Sequence, residues 1–225
     1  MNEVSLSFYC LNEGKMCAEL SECALKNEWN RILKRGFDIV FSLCFLCLVF
    51  PFVLVFVFIV TQFTMPGKLF FVQKRTGLNG KTFKCYKFRS MKKNAFADEL
   101  QATKGDERIT RWGQIMRKTS LDETPQFINV LLGDMSVVGP RPHMLKHTKE
   151  YTELIDGYML RHEVKPGLTG WSQIKGWRGE IKQLSDMENR VKYDLWYINN
   201  WHFSLDFYII LKTITLCLGN DENAR

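Results

Sequence analysis

From Ile39 to Val60 the chain reads IVFSLCFLCLVFPFVLVFVFIV, a run without a charge and with Ser42 as its polar exception. About 20 apolar residues cross the hydrocarbon core of a bilayer, and a run this far from the N-terminus and this long is no ordinary signal peptide. It predicts a membrane segment. Arg31, Lys34 and Arg35 precede it and Lys68, Lys74, Arg75, Lys81 and Lys84 follow it, so the preference of basic flanks for the cytoplasm asks both ends to lie on one side. Pro51, near the centre, removes a helical hydrogen bond and clashes with the preceding turn. Together these features predict a re-entrant helix broken at Pro51, with a kinked but spanning helix as the alternative.

That segment divides the chain. Residues 1–30 read as a polar tail, 31–66 as basic flank plus re-entrant helix, and 67–225 as a globular domain. At 225 residues the chain buries one substantial core. A formal charge of +7 points to an anionic partner: nucleic acid, acidic lipid or a phosphorylated substrate. The seven cysteines form no disulfide-like framework, which fits a reducing compartment. Cys44 and Cys47 have CxxC spacing but sit in the apolar run, where packing explains them better than redox or zinc chemistry.

In the globular part, KLFFVQKRTGLNGKTFKCYKF predicts a β-hairpin around a Thr-Gly-Leu-Asn-Gly turn. FRSMKKNAFADELQATKGDERIT reads as helix then loop, and RWGQIMRKTSLDETPQFINVLLGD as two short helices joined at an acidic pair. HTKEYTELIDGYMLRH predicts a charged helix. A loop follows, then a long polar helix through Lys192. The aromatic stretch YDLWYINNWHFSLDFYIILKTITLCL predicts an interfacial membrane helix, with a helix of the soluble core as the competing reading. The fold class is α+β: a small domain with a short hairpin and several helices, anchored by the re-entrant helix and interfacial amphipathic helices.

The acidic pair, Asp122 and Glu123, has two readings. Thr124 and Pro125 suit a helix start, Phe127, Ile128, Val130, Leu131 and Leu132 supply its buried side, and Gly133 ends it. Both acids then sit near the positive end of the helix, and Ser120 with Glu123 has capping-box spacing. If the pair shares a site instead, each acid needs its own job, because adjacent side chains diverge on a helix or strand.

VVGPRPH sets Arg141 between two prolines, a stiff presentation that suits a phosphate or a structural ion pair equally. Lys87, Arg89 and Arg117 are candidates to join it. PGLTGW offers Trp171 on a rigid loop that supports a base or ribose, or simply packs. His143 and His147 have i, i+4 spacing but no HExxH and no clear third ligand, so zinc is set aside. There is no GxGxxG fingerprint, P-loop or nucleic-acid-binding motif.

KRGFDIVFSL with its proline-broken apolar run, FVQKRTGLNGKTFKCYKFRSM, RKTSLDETPQFINVLLGDMSVVGPRP, VKPGLTGWSQIKGWRGE and YDLWYINNWHFSLDFYIILKT together resemble the bacterial sugar transferases, that is, the monotopic phosphoglycosyl transferases. The likeness runs from about Leu33 to the end. Its later motifs resemble the branch that transfers hexose 1-phosphate, such as undecaprenyl-phosphate glucose phosphotransferases that start exopolysaccharide synthesis. The roughly thirty polar residues before the apolar run suggest the short, core-only form. Where family members commonly carry serine before the membrane proline, Phe50 stands here.

The resemblance implies that Asp122 is a nucleophile and that Glu123 helps hold Mg²⁺. It implies that Lys87, Arg117 and Arg141 match active-site and phosphate-binding positions. The implied partners are a UDP-hexose, undecaprenyl phosphate and inner-membrane lipid, not nucleic acid, with the oligomeric state open and a homodimer among the options. The implied location is the bacterial inner membrane, with the catalytic domain on its cytoplasmic face. A membrane-tethered lipid-binding scaffold and a lipid-phosphate hydrolase are the alternatives.

Overall fold

The computed structural model describes residues 9–12, 15–18, 24–92, 103 and 105–219. Within the predicted polar tail, β1 (Tyr9–Asn12) and β2 (Lys15–Ala18) pair antiparallel, with Cys10 opposite Cys17. Most of the helix predicted in the segment after Phe88 lies outside the described residues.

The apolar run forms two helices, α1 (Glu28–Leu48) and α2 (Phe50–Thr64), bent by 51°. No single helix among the described residues is long and apolar enough to cross a membrane. The break falls at Val49, and Pro51 stands in the first turn of α2. This moves the expected break two residues towards the N-terminus. A proline lacks the N–H that would bond four residues back, so the discontinuity precedes the ring, and Pro51 occupies a first-turn position where that missing donor costs little.

Helix α1 is inside out. Lys34, Asp38 and Ser42, spaced by four and therefore on one face, are buried against the globular part, while Trp29, Ile32, Leu33, Val40 and Leu43 are exposed. Lys34 Nζ lies 2.6 Å from Asp206 Oδ2 and 3.1 Å from the Tyr197 hydroxyl. Arg35 donates to the carbonyls of Val130 and Leu131 at 2.6 and 2.8 Å, closing the C-terminal end of α4 (Gln126–Leu132), where helix carbonyls lack partners. Of the three basic residues preceding the apolar run, two are therefore joints to the domain rather than free flanking charges.

Asp38 accepts from the Ser136 hydroxyl at 3.0 Å and from the Val137 N–H at 2.9 Å. Val137 is the middle residue of β5 (Ser136–Val138), which pairs in parallel with β6 (Gly167–Thr169) through Ser136 and Val138. The N–H between those two points away from β6, and Asp38 satisfies it.

The predicted hairpin is present: β3 (Phe70–Thr76) pairs with β4 (Thr82–Phe88), and Asn79 and Gly80 adopt positive φ in the turn. Two short helices do flank the acidic pair, α3 (Arg111–Lys118) and α4. Of α4's expected buried side, Phe127 and Val130 face inward but Leu132 is exposed. The charged helix α5 (Leu145–Leu154) stops short, because Gly157 takes positive φ before a 3-10 turn at Tyr158–His162.

The C-terminal stretch makes α6 (Leu184–Asn199) and α7 (Phe203–Leu218). Both readings of it hold on different faces: Tyr197, Trp201, Leu205 and Ile209 enter the main core, while Phe207, Tyr208, Leu211 and Ile214 of α7 remain exposed. A second cluster, Val57, Met65, Phe88, Trp112 and Met116, packs α2 onto α3 and β4. Trp112 Nε1 donates to Thr61 Oγ1 at 3.1 Å, and Arg89 donates to the carbonyls of Met65 and Pro66. Both outer ends of the bent pair are thus fastened to one globular body.

The Lys34–Asp206 pair is almost fully buried, and removing one partner of such a pair leaves an uncompensated charge, costing about 3–5 kcal/mol. Lys34→Met is expected to lower the melting temperature of detergent-solubilised protein by roughly 6–20 °C. The double variant Lys34→Met with Asp206→Leu recovers most of that loss in the same thermal unfolding measurement. Equal melting temperatures for the single variant and the wild type would show that the pair does not hold α1.

Candidate active site

The acidic pair sits in a 3-10 turn, Leu121–Glu123, that runs directly into α4. The capping reading does not survive here. Thr124 donates its hydroxyl back to the Leu121 carbonyl at 2.8 Å instead of accepting from α4, and Pro125 at the helix start makes no side-chain cap. Ser120 spends its hydroxyl on Arg178, which donates to it at 2.7 Å, so there is no capping box. Ser120 itself is left-handed (φ 60°), a conformation that costs a serine free energy and persists only where its surroundings enforce it.

Asp122 and Glu123 are each 7% exposed, and that residual surface opens into a cavity of about 970 Å³. Glu123 is held by three cations from three separate segments. Lys87 of β4 places Nζ 2.7 Å from Oε1. Arg141, from the loop after β5, places Nη2 2.9 Å from Oε1 and Nη1 3.3 Å from Oε2. Arg178, after the π-helical turn Gln173–Trp177, reaches Oε2 at 3.8 Å. Burial alone would raise the Glu123 pKa, but Arg141, Lys87 and Arg178 outweigh it and hold the carboxyl well below its usual range.

Asp122 differs. Among the described residues no donor bonds its carboxylate, and its pKa is raised, first by burial and with Glu123 adding to it, against the lowering pull of Lys87, Arg117 and Arg141. The pair therefore titrates as a coupled set in which Glu123 keeps the charge and Asp122 carries the more basic oxygen.

Supporting bonds fix these positions. Asn129 of α4 accepts from Tyr86 N–H at 3.0 Å and donates to the Lys84 carbonyl at 2.7 Å, locking the acidic turn to the strand that carries Lys87. Arg161, 1% exposed, pairs with Asp194 at 2.6 Å and donates to the Arg141 carbonyl at 2.8 Å. Ser172 donates to the other Asp194 oxygen at 2.7 Å. Asp194 on α6 thus braces both loops that deliver arginines to Glu123.

The other expected residues fall as follows. Arg117 lines the cavity beside Asp122, and Arg89 lines it while its guanidinium holds the end of α2. Trp171 does not line the cavity: its ring stacks on Trp196 at 4.6 Å and lies under Lys175 Nζ. Six residues on, Trp177 takes the cavity-facing place. Sequence reasoning gave no role to Arg178, Arg161 or Asp194. Arg178 was findable, since it stands in the glycine-flanked GWRGE stretch; Arg161 and Asp194 lie on ordinary helical segments without a local signal.

Among the described residues no three His, Cys, Asp or Glu side chains converge as a metal cage. Mg²⁺ is commonly held by one or two carboxylates with substrate phosphates completing its shell, and two adjacent carboxylates beside a cavity of this size fit that donor set. Oε1 of Glu123 is occupied by Lys87 and Arg141, which leaves Oε2 as the looser oxygen.

The bacterial sugar transferase family model matches residues 29–220. The chain is 50% identical over 186 residues to UDP-glucose:undecaprenyl-phosphate glucose-1-phosphate transferase of Escherichia coli K12, covering 82% of this chain and 40% of that one. It is 43% identical over 188 residues to the exopolysaccharide production protein PSS of Rhizobium leguminosarum, covering 81% and 94%. It is 38% identical over 187 residues to a UDP-N-acetylgalactosamine-undecaprenyl-phosphate N-acetylgalactosaminephosphotransferase of Aeromonas hydrophila, covering 83% and 44%. The match thus spans less than half the length of two of these three relatives. With a family match that covers the bent helix pair, the acidic turn and the arginine loops alike, the chain belongs to the bacterial sugar transferases.

Proposed function

We propose that the protein is a polyprenyl-phosphate hexose-1-phosphate transferase that moves a hexose 1-phosphate from a UDP-hexose to undecaprenyl phosphate in two steps. The observation that carries this reading is the inequality of the two carboxylates: one neutralised by three cations, the other buried, unbonded and facing a cationic cavity. Relatives named for glucose 1-phosphate and N-acetylgalactosamine phosphate transfer to undecaprenyl phosphate support the substrate class.

In the first step an Asp122 carboxylate oxygen attacks the β-phosphorus, the bond to the bridging oxygen breaks, and UMP leaves with that electron pair. In the second, a phosphate oxygen of the polyprenyl phosphate attacks the same phosphorus and Asp122 departs as carboxylate, giving a polyprenyl-diphosphate hexose. Splitting one displacement into two is nucleophilic catalysis. Lys87, Arg117, Arg141 and Arg178 offset the charge of two anions meeting at one phosphorus. Glu123, with Asp122 alongside, would hold Mg²⁺, which would supply further neutralisation of the diphosphate charge.

The acceptor explains the inside-out helices. Phe52, Val55, Phe56, Phe63 and Leu211 present an apolar outer surface, and Pro66, Gly67 and Lys68, directly after α2, form part of the cavity wall. This supports a site at the depth where a lipid phosphate resides. That both ends of the bent pair are tied to the same domain supports a pair that enters and leaves the inner membrane on one face, and the basic flanks favour the cytoplasmic one.

Purified protein with Mg²⁺, undecaprenyl phosphate and a panel of UDP-sugars is expected to release UMP and form lipid-linked sugar. Asp122→Asn abolishes this, and chelation of Mg²⁺ suppresses it. Free sugar phosphate as product would indicate a hydrolase, and no UMP with any sugar would return the protein to a lipid-binding scaffold.

The raised Asp122 pKa fixes two signs. The carboxylate is the nucleophile, so the acidic limb of kcat/KM lies above the ordinary carboxylate range, and Arg117→Gln, which removes a cation that pulls the pKa down, moves the limb further up. An acid whose folded pKa exceeds its unfolded value costs stability once ionised, so Asp122→Asn keeps or raises the melting temperature at neutral pH while activity is lost. A clear drop would mean Asp122 serves the fold instead.

For topology, Arg31→Cys and Lys74→Cys in a background cleared of the native cysteines should both label in inverted vesicles. Labelling of either in intact cells by an impermeant reagent would overturn the re-entrant arrangement.

A further inference from the structure

Beside the acidic pair, the wall of the same cavity carries a second group of cations, Arg75 and Arg190, with His143 and His147. Neither arginine has a carboxylate within salt-bridge distance among the described residues. All three nitrogens of the Arg75 guanidinium bond neutral acceptors, Nε and Nη2 the Gln73 side-chain oxygen at 3.1 and 2.7 Å and Nη1 the Pro142 carbonyl at 2.6 Å. Arg190, 4% exposed, donates to the Gly179 carbonyl at 2.8 Å and has Nη1 3.4 Å from His143 Nε2, while its Nε has no partner among the described residues.

The histidine offers Arg190 at most one neutral acceptor. Its Nδ1 faces the Tyr158 hydroxyl at 2.6 Å and Arg161 Nη1 at 2.9 Å, and its Nε2 faces Arg190, so a hydroxyl and two guanidiniums crowd one ring. A neutral imidazole accepts at one nitrogen only, and burial with the nearby arginines keeps His143 neutral. Arg161 has Asp194 besides; Arg190 does not. Burial also lowers Arg190 to about 10, with Arg141 adding to the effect and Asp194 opposing it. Asp186 lines the cavity too, but its carboxylate accepts from the N–H groups of Lys182 and Gln183 at the start of α6. Guanidiniums without a carboxylate partner at the wall of an open cavity, one of them with an unbonded Nε, are complementary to an oxyanion with several acceptor lone pairs.

We propose that Arg75 and Arg190 form a second anion subsite, which takes the phosphate ester of the nucleotide while the cations around Glu123 attend the phosphorus being transferred. This rests on the UDP-hexose reading above. Arg75 bonds the Pro142 carbonyl and Arg161 bonds that of Arg141, so the two subsites share the Arg141–His143 backbone as their partition. On departure the leaving UMP keeps a cationic partner, and the transferred group has its own.

The test is a binding titration on Asp122→Asn protein, which holds ligands without turning them over. UMP, uridine and farnesyl phosphate are titrated against it with and without a second change, Arg190→Gln or Arg75→Gln. The expected result is that each change weakens UMP at least tenfold and uridine less than twofold, with farnesyl phosphate unaffected. Arg75, being only partly buried, keeps the test informative where Arg190→Gln unfolds the domain. UMP affinity unchanged in the folded variants overturns the subsite, and loss of farnesyl phosphate binding in place of UMP assigns it to the lipid and overturns the nucleotide assignment. Inorganic pyrophosphate separates the two readings: arginine-dependent pyrophosphate binding without any UMP binding leaves the anion subsite standing and removes the UDP-hexose reading.

Discussion

Three cations around the cavity converge on one carboxylate. Glu123 draws Lys87 from the hairpin, Arg141 from the proline-stiffened loop and Arg178 from the loop before α6 onto its two oxygens. Buried ion pairs of this kind seldom add net stability, because each charge loses its hydration. Their effect here is geometric. Three segments far apart in sequence are drawn to one point, and Asp122, one residue away, is left without a hydrogen-bond donor of its own. The contrast between the neighbours follows from where the cations are, not from any difference between aspartate and glutamate.

Helix α1 obeys an equally simple rule. A helix whose polar stripe is buried and whose apolar face is exposed is unfavourable in water and favourable against lipid. In α1 that stripe is also the joint: Lys34 to Asp206 on α7, Asp38 to β5, Arg35 to the end of α4. The same α4 begins at the acidic turn. A displacement of α1 relative to the globular body is therefore passed to Asp122 through one two-turn helix, so the seat of α1 and the position of the acidic pair are a single variable.

This coupling explains which features were readable from sequence. The hairpin, the acidic turn between two helices and the stiff presentation of Arg141 are local: turn residues, alternation and proline write them into a few positions. The bent anchor was readable for the same reason, although its break at Val49 and not at Pro51 needed the hydrogen-bond count of the proline's own turn. Lys34 was misread as a flanking charge, because the partner that buries it lies far along the chain. Trp171 was placed in the site by its glycine-rich loop, yet the loop's π-helical turn carries Trp177 to the cavity instead. Sequence reports which residues are available for a site. It reports poorly on pairings made across long separations, and those decide which of them face it.

Asp194 and Arg161 are the clearest case of such a pairing. Both are 1% exposed, neither touches the cavity, and together they join the carbonyl of Arg141 to the hydroxyl of Ser172. The loops bearing Arg141 and Arg178 must come close to a shared anion and so repel each other; a brace of opposite charge beneath them, itself neutral overall, holds them together without adding charge to the site. Removing the brace would leave the site chemically complete but badly positioned. Where cations must stand in place before an anion arrives, the buried pair behind the site positions it as surely as the arginines within it form it.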